Sequence, residues 1–162
     1  MIVLGLDPGI ALTGYGVLIP AEGASFRVLA YGALTTPSNL APPDRLCLLF
    51  RQLTDVFAEH RPQEVAVEQL FFNRNVTTAL TVGQARGVAL LAAAEAGAAV
   101  FEYSPAQVKS AVTGSGRAVK RQVQYMVRAI LNLPEIPQPD DVADALAVAV
   151  CHCYRRGGRW GG

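Results

Sequence analysis

Hydrophobic segments near the start of the chain are short, as β-strands require. Residues 2–6 are apolar and predict a strand that is buried on both faces. Asp7 ends this run, and a Pro-Gly pair then predicts a turn, because proline fixes φ and glycine tolerates positive φ. Residues 13–19 predict a second strand that forms a hairpin with the first, and residues 27–35 predict a third.

Helical and strand patterns alternate along the rest of the chain. Residues 44–60 place their apolar side chains on one face of a helix, whereas residues 64–68 and 98–103 predict a fourth and a fifth strand. Residues 76–97 predict a long helix that is small and apolar almost all round, so it must be buried in the core or against a partner chain. Further helices are predicted at residues 105–112, 118–131 and about 140–154. The helix between strands three and four indicates a parallel crossover, and the whole order predicts a mixed sheet covered by helices.

Length and composition favour one domain in a reducing, cytoplasmic compartment. The chain has 162 residues, of which 1–154 carry the predicted elements and 155–162 are expected to form a disordered tail. Its three cysteines are an odd number without the spacing of a disulfide framework. The first apolar run ends too early for a signal peptide, and no run reaches the roughly 18 residues of a membrane span. We therefore expect no membrane partner.

Four acidic residues occur where predicted elements end or begin. Asp7 ends the first strand and Glu68 ends the fourth, so both lie at one edge of the sheet if those strands are parallel neighbours. Ligands of such sheets bind outside the carboxyl ends of the strands. Asp141 and Asp144 are three positions apart at the start of the last helix and can face the same way. The pattern predicts a cluster of four carboxylates.

Each of these acids also has a simpler interpretation. Asp7 and the Pro-Gly pair can form a turn and nothing more, and Glu68 can be a strand-end charge that faces water. The two helical acids can serve the free N–H groups and the dipole of the helix, and for Asp140 we expect that role, as the helix cap.

A cluster of carboxylates needs positive charge nearby. Two unit charges about 4 Å apart repel by roughly 4 kcal/mol at an effective dielectric of about 20, and a divalent cation removes that cost. Ligands that are all oxygen favour Mg²⁺ or Mn²⁺ over zinc. Two such ions can activate a water and stabilise the leaving oxygen in phosphodiester hydrolysis.

Basic residues are segregated from the acidic ones. Residues 103–134 contain no acid, and their basic residues are Lys109, Arg117, Lys120, Arg121 and Arg128. Residues 69–94 contain Arg74 and Arg86 and again no acid. In a chain whose formal net charge is only +1, such blocks predict a phosphate-binding face. The alternative is a solvated helix surface, although charge signs usually alternate on such a surface.

Two further features of the sequence bear on its chemistry. Phe71 and Phe72 are adjacent in a predicted loop directly after Glu68, where one can belong to the core and an exposed one can stack on nucleic-acid bases. Cys151-His152-Cys153 has the look of a metal motif, but residues two apart on a helix point to different sides. We therefore expect these cysteines to be buried and structural.

Four motifs together resemble one known family, the RuvC Holliday junction resolvases. They are LGLDPG at residues 4–9, VEQLF at 67–71, GQARG at 83–87 and DVADALA at 141–147. One such motif would be weak, but four in order at the right separations are specific. The resemblance extends from Met1 to about Cys153, and the tail at 155–162 matches nothing in the family's pattern.

The resemblance implies a fold, an activity and partners. It implies an α/β, RNase H-like fold with a five-stranded mixed sheet of order 3-2-1-4-5 flanked by helices. It implies that the metal-binding catalytic acids are Asp7, Glu68, Asp141 and Asp144. It also implies that Phe71 stacks at the junction centre, and that Lys109 and Lys120 contact phosphate. The family is a bacterial homodimer that cooperates with a branch-migration helicase complex.

These observations predict a Mg²⁺-dependent, structure-selective endodeoxyribonuclease that nicks four-way junctions symmetrically in recombination and DNA repair. The expected DNA-binding residues are Phe71, Phe72, Arg74, Lys109, Arg117, Lys120 and Arg121. One alternative is a junction-binding scaffold without catalysis. Actin-like sugar kinases and ATPases also open with a strand, an aspartate and glycines, but they need a second lobe for which 162 residues leave no room.

Overall fold

The computed structural model describes residues 1–70 and 76–157 of the chain. The strands are β1 (Val3–Asp7), β2 (Leu12–Pro20), β3 (Phe26–Thr35), β4 (Glu64–Glu68) and β5 (Ala99–Tyr103). The helices are α1 (Pro42–His60), α2 (Val76–Glu95), α3 (Pro105–Thr113), α4 (Lys120–Ile130) and α5 (Asp140–Gly157). A short 3₁₀ turn, Glu22–Ala24, lies between β2 and β3.

The five strands form one mixed sheet in the order β3-β2-β1-β4-β5, as predicted. β2 pairs antiparallel with both β1 and β3, because tight connections join consecutive strands. β4 pairs parallel with β1 and with β5, because α1 and α2 supply the crossovers. The parallel register of Leu6 with Val67 brings the carboxyl ends of β1 and β4 to the same edge of the sheet.

Helices cover both faces of the sheet. On one face α5, α3 and α4 build a core with residues such as Val3, Leu146 and Val127. On the other face α1 and α2 build a second core with residues such as Leu4 and Leu53. Val3 and Leu4 belong to opposite cores because successive side chains of a strand point to opposite faces.

Two glycines let α5 lie directly on the sheet. A Cβ at Gly5 would stand 2.0 Å from the carbonyl oxygen of Ala145, and one at Gly14 would stand 2.0 Å from the carbonyl oxygen of Asp141. Any larger residue would therefore push the helix away. Gly14 is the register partner of Asp7, so this contact places the start of α5 beside the end of β1.

Several predicted boundaries shift by a few residues. The first helix begins at Pro42, not at residue 44, because proline is well suited to the first turn of a helix. α2 ends at Glu95 and α4 begins at Lys120, each two residues inside its predicted bound. α5 continues to Gly157, so the first three residues of the expected tail are helical, and residues 158–162 lie outside the described residues.

The cysteines of the Cys-His-Cys sequence are buried, as predicted. Cys151 and Cys153 are 0% and 5% exposed. His152 between them is fully buried, with Nε2 2.6 Å from Glu64 Oε2 and Nδ1 2.7 Å from the hydroxyl of Tyr103. Arg156 also contacts the Glu64 carboxylate, which fixes the last turn of α5 against the start of β4.

Helix α2 is only half buried. Its buried residues are Ala85, Arg86, Ala89, Ala92 and Ala93. The opposite side exposes Val76, Leu80 and Leu91 by 71%, 65% and 53%. By length and composition alone α2 is apolar enough to cross a membrane, a test that core helices also pass. Within the chain, the prediction that this helix is buried is therefore confirmed for one of its sides.

Stability in mild acid should depend on His152. Burial lowers the pKa of His152 from 6.5 to about 4, so between these values the unfolded chain binds a proton that the folded chain does not. The free energy of unfolding should therefore fall as pH decreases through this window, by up to about 1.4 kcal/mol per pH unit. Urea unfolding of wild type and His152→Gln from pH 8 to 4 should show a steeper loss for the wild type. If the free energy of unfolding fell equally with pH in both proteins, the lowered pKa of His152 would be contradicted.

Candidate active site

Three elements converge at the carboxyl edge of the sheet. Asp7 is the last residue of β1 and Glu68 the last of the parallel neighbour β4. Asp141 lies in the first turn of α5, and its backbone contacts Gly14, which pairs with Asp7. Asp144 follows on the next turn of the same helix. The structure thus brings the four predicted carboxylates into one region.

Burial and mutual repulsion dominate the electrostatics of this region. The pKa of Asp7 is raised from 3.8 to about 7, first by burial and then by the charges of Asp144, Asp141 and Glu68. Burial, followed by the charge of Asp144, also raises the pKa of Glu68. Burial and the charge of Asp141 likewise raise the pKa of Asp144, against the lowering effect of Lys120. These shifts show that the carboxylates are close enough to interact.

Lys120 supplies positive charge to two acids at the start of α5. Its Nζ lies 3.2 Å from Asp144 Oδ2 and 3.2 Å from Asp140 Oδ2. Asp140 also accepts a 2.9 Å hydrogen bond from Gln124 Nε2. The prediction that Asp140 is the helix cap is wrong, because this residue is the first of α5 and its carboxylate binds α4, but its predicted place among the acids of the first turn is confirmed.

The donor set suits a hard divalent cation. All four acids offer carboxylate oxygens, and burial together with repulsion from the other acids raises the pKa of Asp7, a cost that a cation would relieve. Across residues 1–70 and 76–157, no three acidic, histidine or cysteine side chains stand close enough together to share one ion as they lie here. Binding would therefore require side-chain rotation and displacement of Lys120 from Asp144.

A cleft of about 270 Å³ opens beside the acids, between α3, α4 and α5. Glu68 and Asp144 lie on its wall together with Lys109 and Lys120. Two larger clefts, of about 680 and 670 Å³, lie away from the four acids. The smaller cleft combines negative and positive groups, which is the arrangement that a phosphate and its counter-cation require.

Helix α3, which carries Lys109, begins with a complete capping box that fixes its first turn. The Ser104 hydroxyl accepts from the Gln107 N–H at 3.2 Å, and the Gln107 side chain accepts from the Ser104 N–H at 2.8 Å. Arg117 and Arg121 are exposed around the start of α4, close in sequence to Lys120. Of the basic residues of 103–134, Lys109 and Lys120 line the acidic cleft.

Other predicted contacts have different outcomes. Phe71, Phe72 and Arg74 lie outside the described residues. Arg86, which the sequence placed in a phosphate-binding face, is 9% exposed and binds the backbone carbonyl of Glu68 and the side chain of Glu102. Its positive charge is compensated inside the chain. The prediction that Arg86 belongs to a phosphate-binding face is therefore wrong. Only its position in the GQARG motif distinguished it in the sequence.

The sheet order and the acids at the ends of β1, β4 and the start of α5 define an RNase H-like α/β protein. The family model described as "Crossover junction endodeoxyribonuclease RuvC" matches residues 3–152. The chain belongs to this family.

Individual relatives agree with this assignment. The crossover junction endodeoxyribonuclease RuvC of Heliobacterium modesticaldum is 62% identical over 151 residues, which cover 93% of either chain. The structure of Thermus thermophilus RuvC in complex with a Holliday junction substrate superposes with a TM-score of 0.91 at 42% identity, covering 98% of this chain and 96% of that one. The yeast mitochondrial Holliday junction resolvase shares the fold, with a TM-score of 0.68 at 16% identity, covering 98% of this chain and 85% of that one.

Removing the charge of Asp7 should stabilise the metal-free protein at neutral and higher pH. The pKa of Asp7 is higher in the folded chain than in the unfolded chain, so the free energy of unfolding falls as pH rises from about 4 through about 7. Asp7→Asn does not titrate, so its melting temperature in EDTA should rise relative to wild type over this range. Added Mg²⁺ at pH 8 should then stabilise the wild type more than the variant. A difference in melting temperature between Asp7→Asn and wild type that stays constant with pH would contradict the raised pKa of Asp7.

Proposed function

We propose that this chain is a structure-selective endodeoxyribonuclease that resolves Holliday junctions by two symmetric nicks during recombination and DNA repair. The observation that carries the proposal is the group of electrostatically coupled acids at the carboxyl edge of the sheet, in a chain of the RuvC family. The Thermus thermophilus relative, which is similar over nearly its whole length, was solved with a Holliday junction substrate.

Asp7, Glu68, Asp141 and Asp144 would hold Mg²⁺, and Mn²⁺ would substitute for it. Two ions per site, when bound, would supply an activated water and stabilise the leaving oxygen. The chain itself positions the acids from two rigid strands and one helix, which limits their movement. The buried walls of the cleft lower the local dielectric and strengthen each charge interaction.

Lys120 has two roles in this proposal. In the free protein it neutralises Asp144 and Asp140. If the acids held a cation, the ammonium group of Lys120 would be free to face the cleft, which Lys109 also lines. Both lysines would then contact the phosphates that flank the scissile bond, and Arg117 and Arg121 would contact the duplex arm beyond them.

The homodimer is part of the proposal. A four-way junction has approximate two-fold symmetry, and two opposed nicks need two sites related by one axis. The exposed side of α2 offers an interface, because Leu80 and Leu91 are large, apolar and largely exposed. Ala79, Gly83 and Gly87 on this helix would let a partner backbone approach closely. Cooperation with a branch-migration helicase complex in the cytoplasm completes the proposal.

Phe71, Phe72 and Arg74 remain proposed DNA contacts. They lie three, four and six positions after Glu68, so they are close in sequence to a proposed catalytic acid. An aromatic ring there would stack on unpaired bases at the crossover.

A non-catalytic junction-binding scaffold is the competing function. A scaffold would need the basic residues Lys109 and Lys120 of the cleft but not the four acids. The place of Asp7 argues against it, since partial burial and the neighbouring acids raise its pKa and make a charge there unfavourable. Substitution of that acid separates the two functions.

Asp7→Asn should retain junction binding and lose cleavage. The amide carries no charge and is a poor ligand for Mg²⁺. Cleavage of a labelled four-way junction and its affinity are measured at matched metal concentration. Asp55→Asn, which changes an exposed acid on α1, is the control and should cleave normally. Cleavage by Asp7→Asn at the control's rate would remove Asp7 from the reaction.

Lys109→Ala and Lys120→Ala should each weaken junction binding, and each should lower the slope of log affinity against log salt by about 1. The reason is that each lysine releases counter-ions when it meets a phosphate. Fluorescence anisotropy from low to moderate salt provides the slopes. Arg51→Ala, an exposed basic residue on α1, should leave the slope unchanged. Slopes equal to wild type in both lysine variants would exclude them from the DNA contact.

Leu80→Asp should dissociate the dimer, because it puts a charge into the proposed apolar interface. Sedimentation of the wild type at micromolar concentration should give twice the 17.2 kDa chain mass, and the variant should give one chain mass. The variant should also lose paired nicking. Leu29→Asp on β3 is the control, since that side chain is 37% exposed away from α2. A monomeric wild type, with junction bound, would contradict the symmetric mechanism.

A further inference from the structure

Arg86 is a buried cation with two partners inside the chain. It lies on the inner face of α2, and its side chain is 11% exposed. Nη1 donates to the backbone carbonyl oxygen of Glu68 at 2.6 Å. Nη2 donates to Glu102 Oε1 on β5 at 2.5 Å. One guanidinium therefore joins α2 to the ends of two neighbouring strands.

The carbonyl that Arg86 binds belongs to a proposed catalytic acid. Glu68 is the last residue of β4 and pairs with Tyr103 on β5. The next amide, that of Gln69, donates to the Tyr103 carbonyl at 2.7 Å. Arg86 therefore binds the peptide unit at which the sheet ends, and this peptide sets the backbone conformation from which the Glu68 side chain projects.

Arginine is suited to this position. Its planar fork has donors in fixed directions, so two partners determine its orientation. Glu102 compensates the charge, which matters because a buried unpaired cation is costly. A lysine would offer a single point charge on a flexible chain and would not bind both partners in fixed geometry.

We infer that Arg86 is a positioning residue for Glu68, held in place by Glu102. This inference rests on the proposed function of Glu68 in the carboxylate cluster. Arg86 does not reach the substrate; it fixes the peptide that carries the acid. Because Arg86 lies on α2, the position of Glu68 depends on the helix whose outer side is the proposed dimer interface.

The test compares cleavage, binding and stability in Arg86→Met. Methionine keeps much of the volume and removes both donors. Single-turnover cleavage of a four-way junction at saturating protein should slow by on the order of 10- to 100-fold, because small displacements of a catalytic group have effects of that size. The junction Kd and its salt dependence should stay within twofold of wild type. A weaker Kd with a lower salt slope would identify Arg86 as a phosphate contact and overturn the inference.

Two further variants keep the test decisive if Arg86→Met is unstable. Arg86→Met combined with Glu102→Leu removes the charge pair together, so no buried charge remains unpaired. This double variant should fold and still cleave slowly. Glu102→Gln keeps an acceptor for Arg86 and leaves its bond to Glu68, so it should cleave within threefold of wild type. A folded double variant that cleaves like wild type would overturn the inference.

A second measurement separates this inference from the proposed function. The rise in melting temperature with Mn²⁺ needs no substrate, and it should be smaller in the double variant than in wild type or Glu102→Gln. If the wild type binds Mn²⁺ but never nicks a junction, the proposed function fails while this difference still supports the role of Arg86. An equal rise in all three proteins would contradict that role.

Discussion

The constraint on which the structure depends is the crowding of several half-buried carboxylates at one edge of the sheet. Burial and mutual repulsion raise the pKa of Asp7 to about 7, so the folded chain carries a group that resists ionisation at neutral pH. Such strain persists only where the surrounding structure enforces it. Here Gly14 enforces it, since the lack of a side chain lets α5 bring Asp141 next to the end of β1. Lys120 offsets part of the negative charge.

Groups around the acids connect them to the rest of the fold. Lys120 and Gln124 join α4 to Asp140 at the start of α5, and Arg86 joins α2 to the peptide of Glu68. Helices α2, α4 and α5 therefore each have a polar contact near an acid. Metal binding, phosphate binding and assembly would then act on the same set of charges.

Local patterns in the sequence predicted the strands, the helices and the place of the acids, whereas the order of all five strands was implied by the family resemblance. An apolar run ended by Asp7 or Glu68 defines a strand end, and the three-residue spacing in α5 defines a helix face. The partners of Arg86 and Asp140 were not predictable, because they depend on packing between distant elements. A cation in an acid-free stretch has the same sequence signal whether it binds DNA or a buried carbonyl. The small, apolar composition of α2 likewise indicated burial without showing that one side stays exposed within the chain.

Incubation with a labelled synthetic four-way junction, with Mg²⁺ or with EDTA, tests the central claim most directly. The proposed function predicts two nicks at symmetry-related positions on opposed strands in Mg²⁺, no nick in EDTA, and no cleavage of a linear duplex of the same sequence. Binding of the junction without nicking in Mg²⁺ or Mn²⁺, or equal cleavage of junction and duplex, would contradict it.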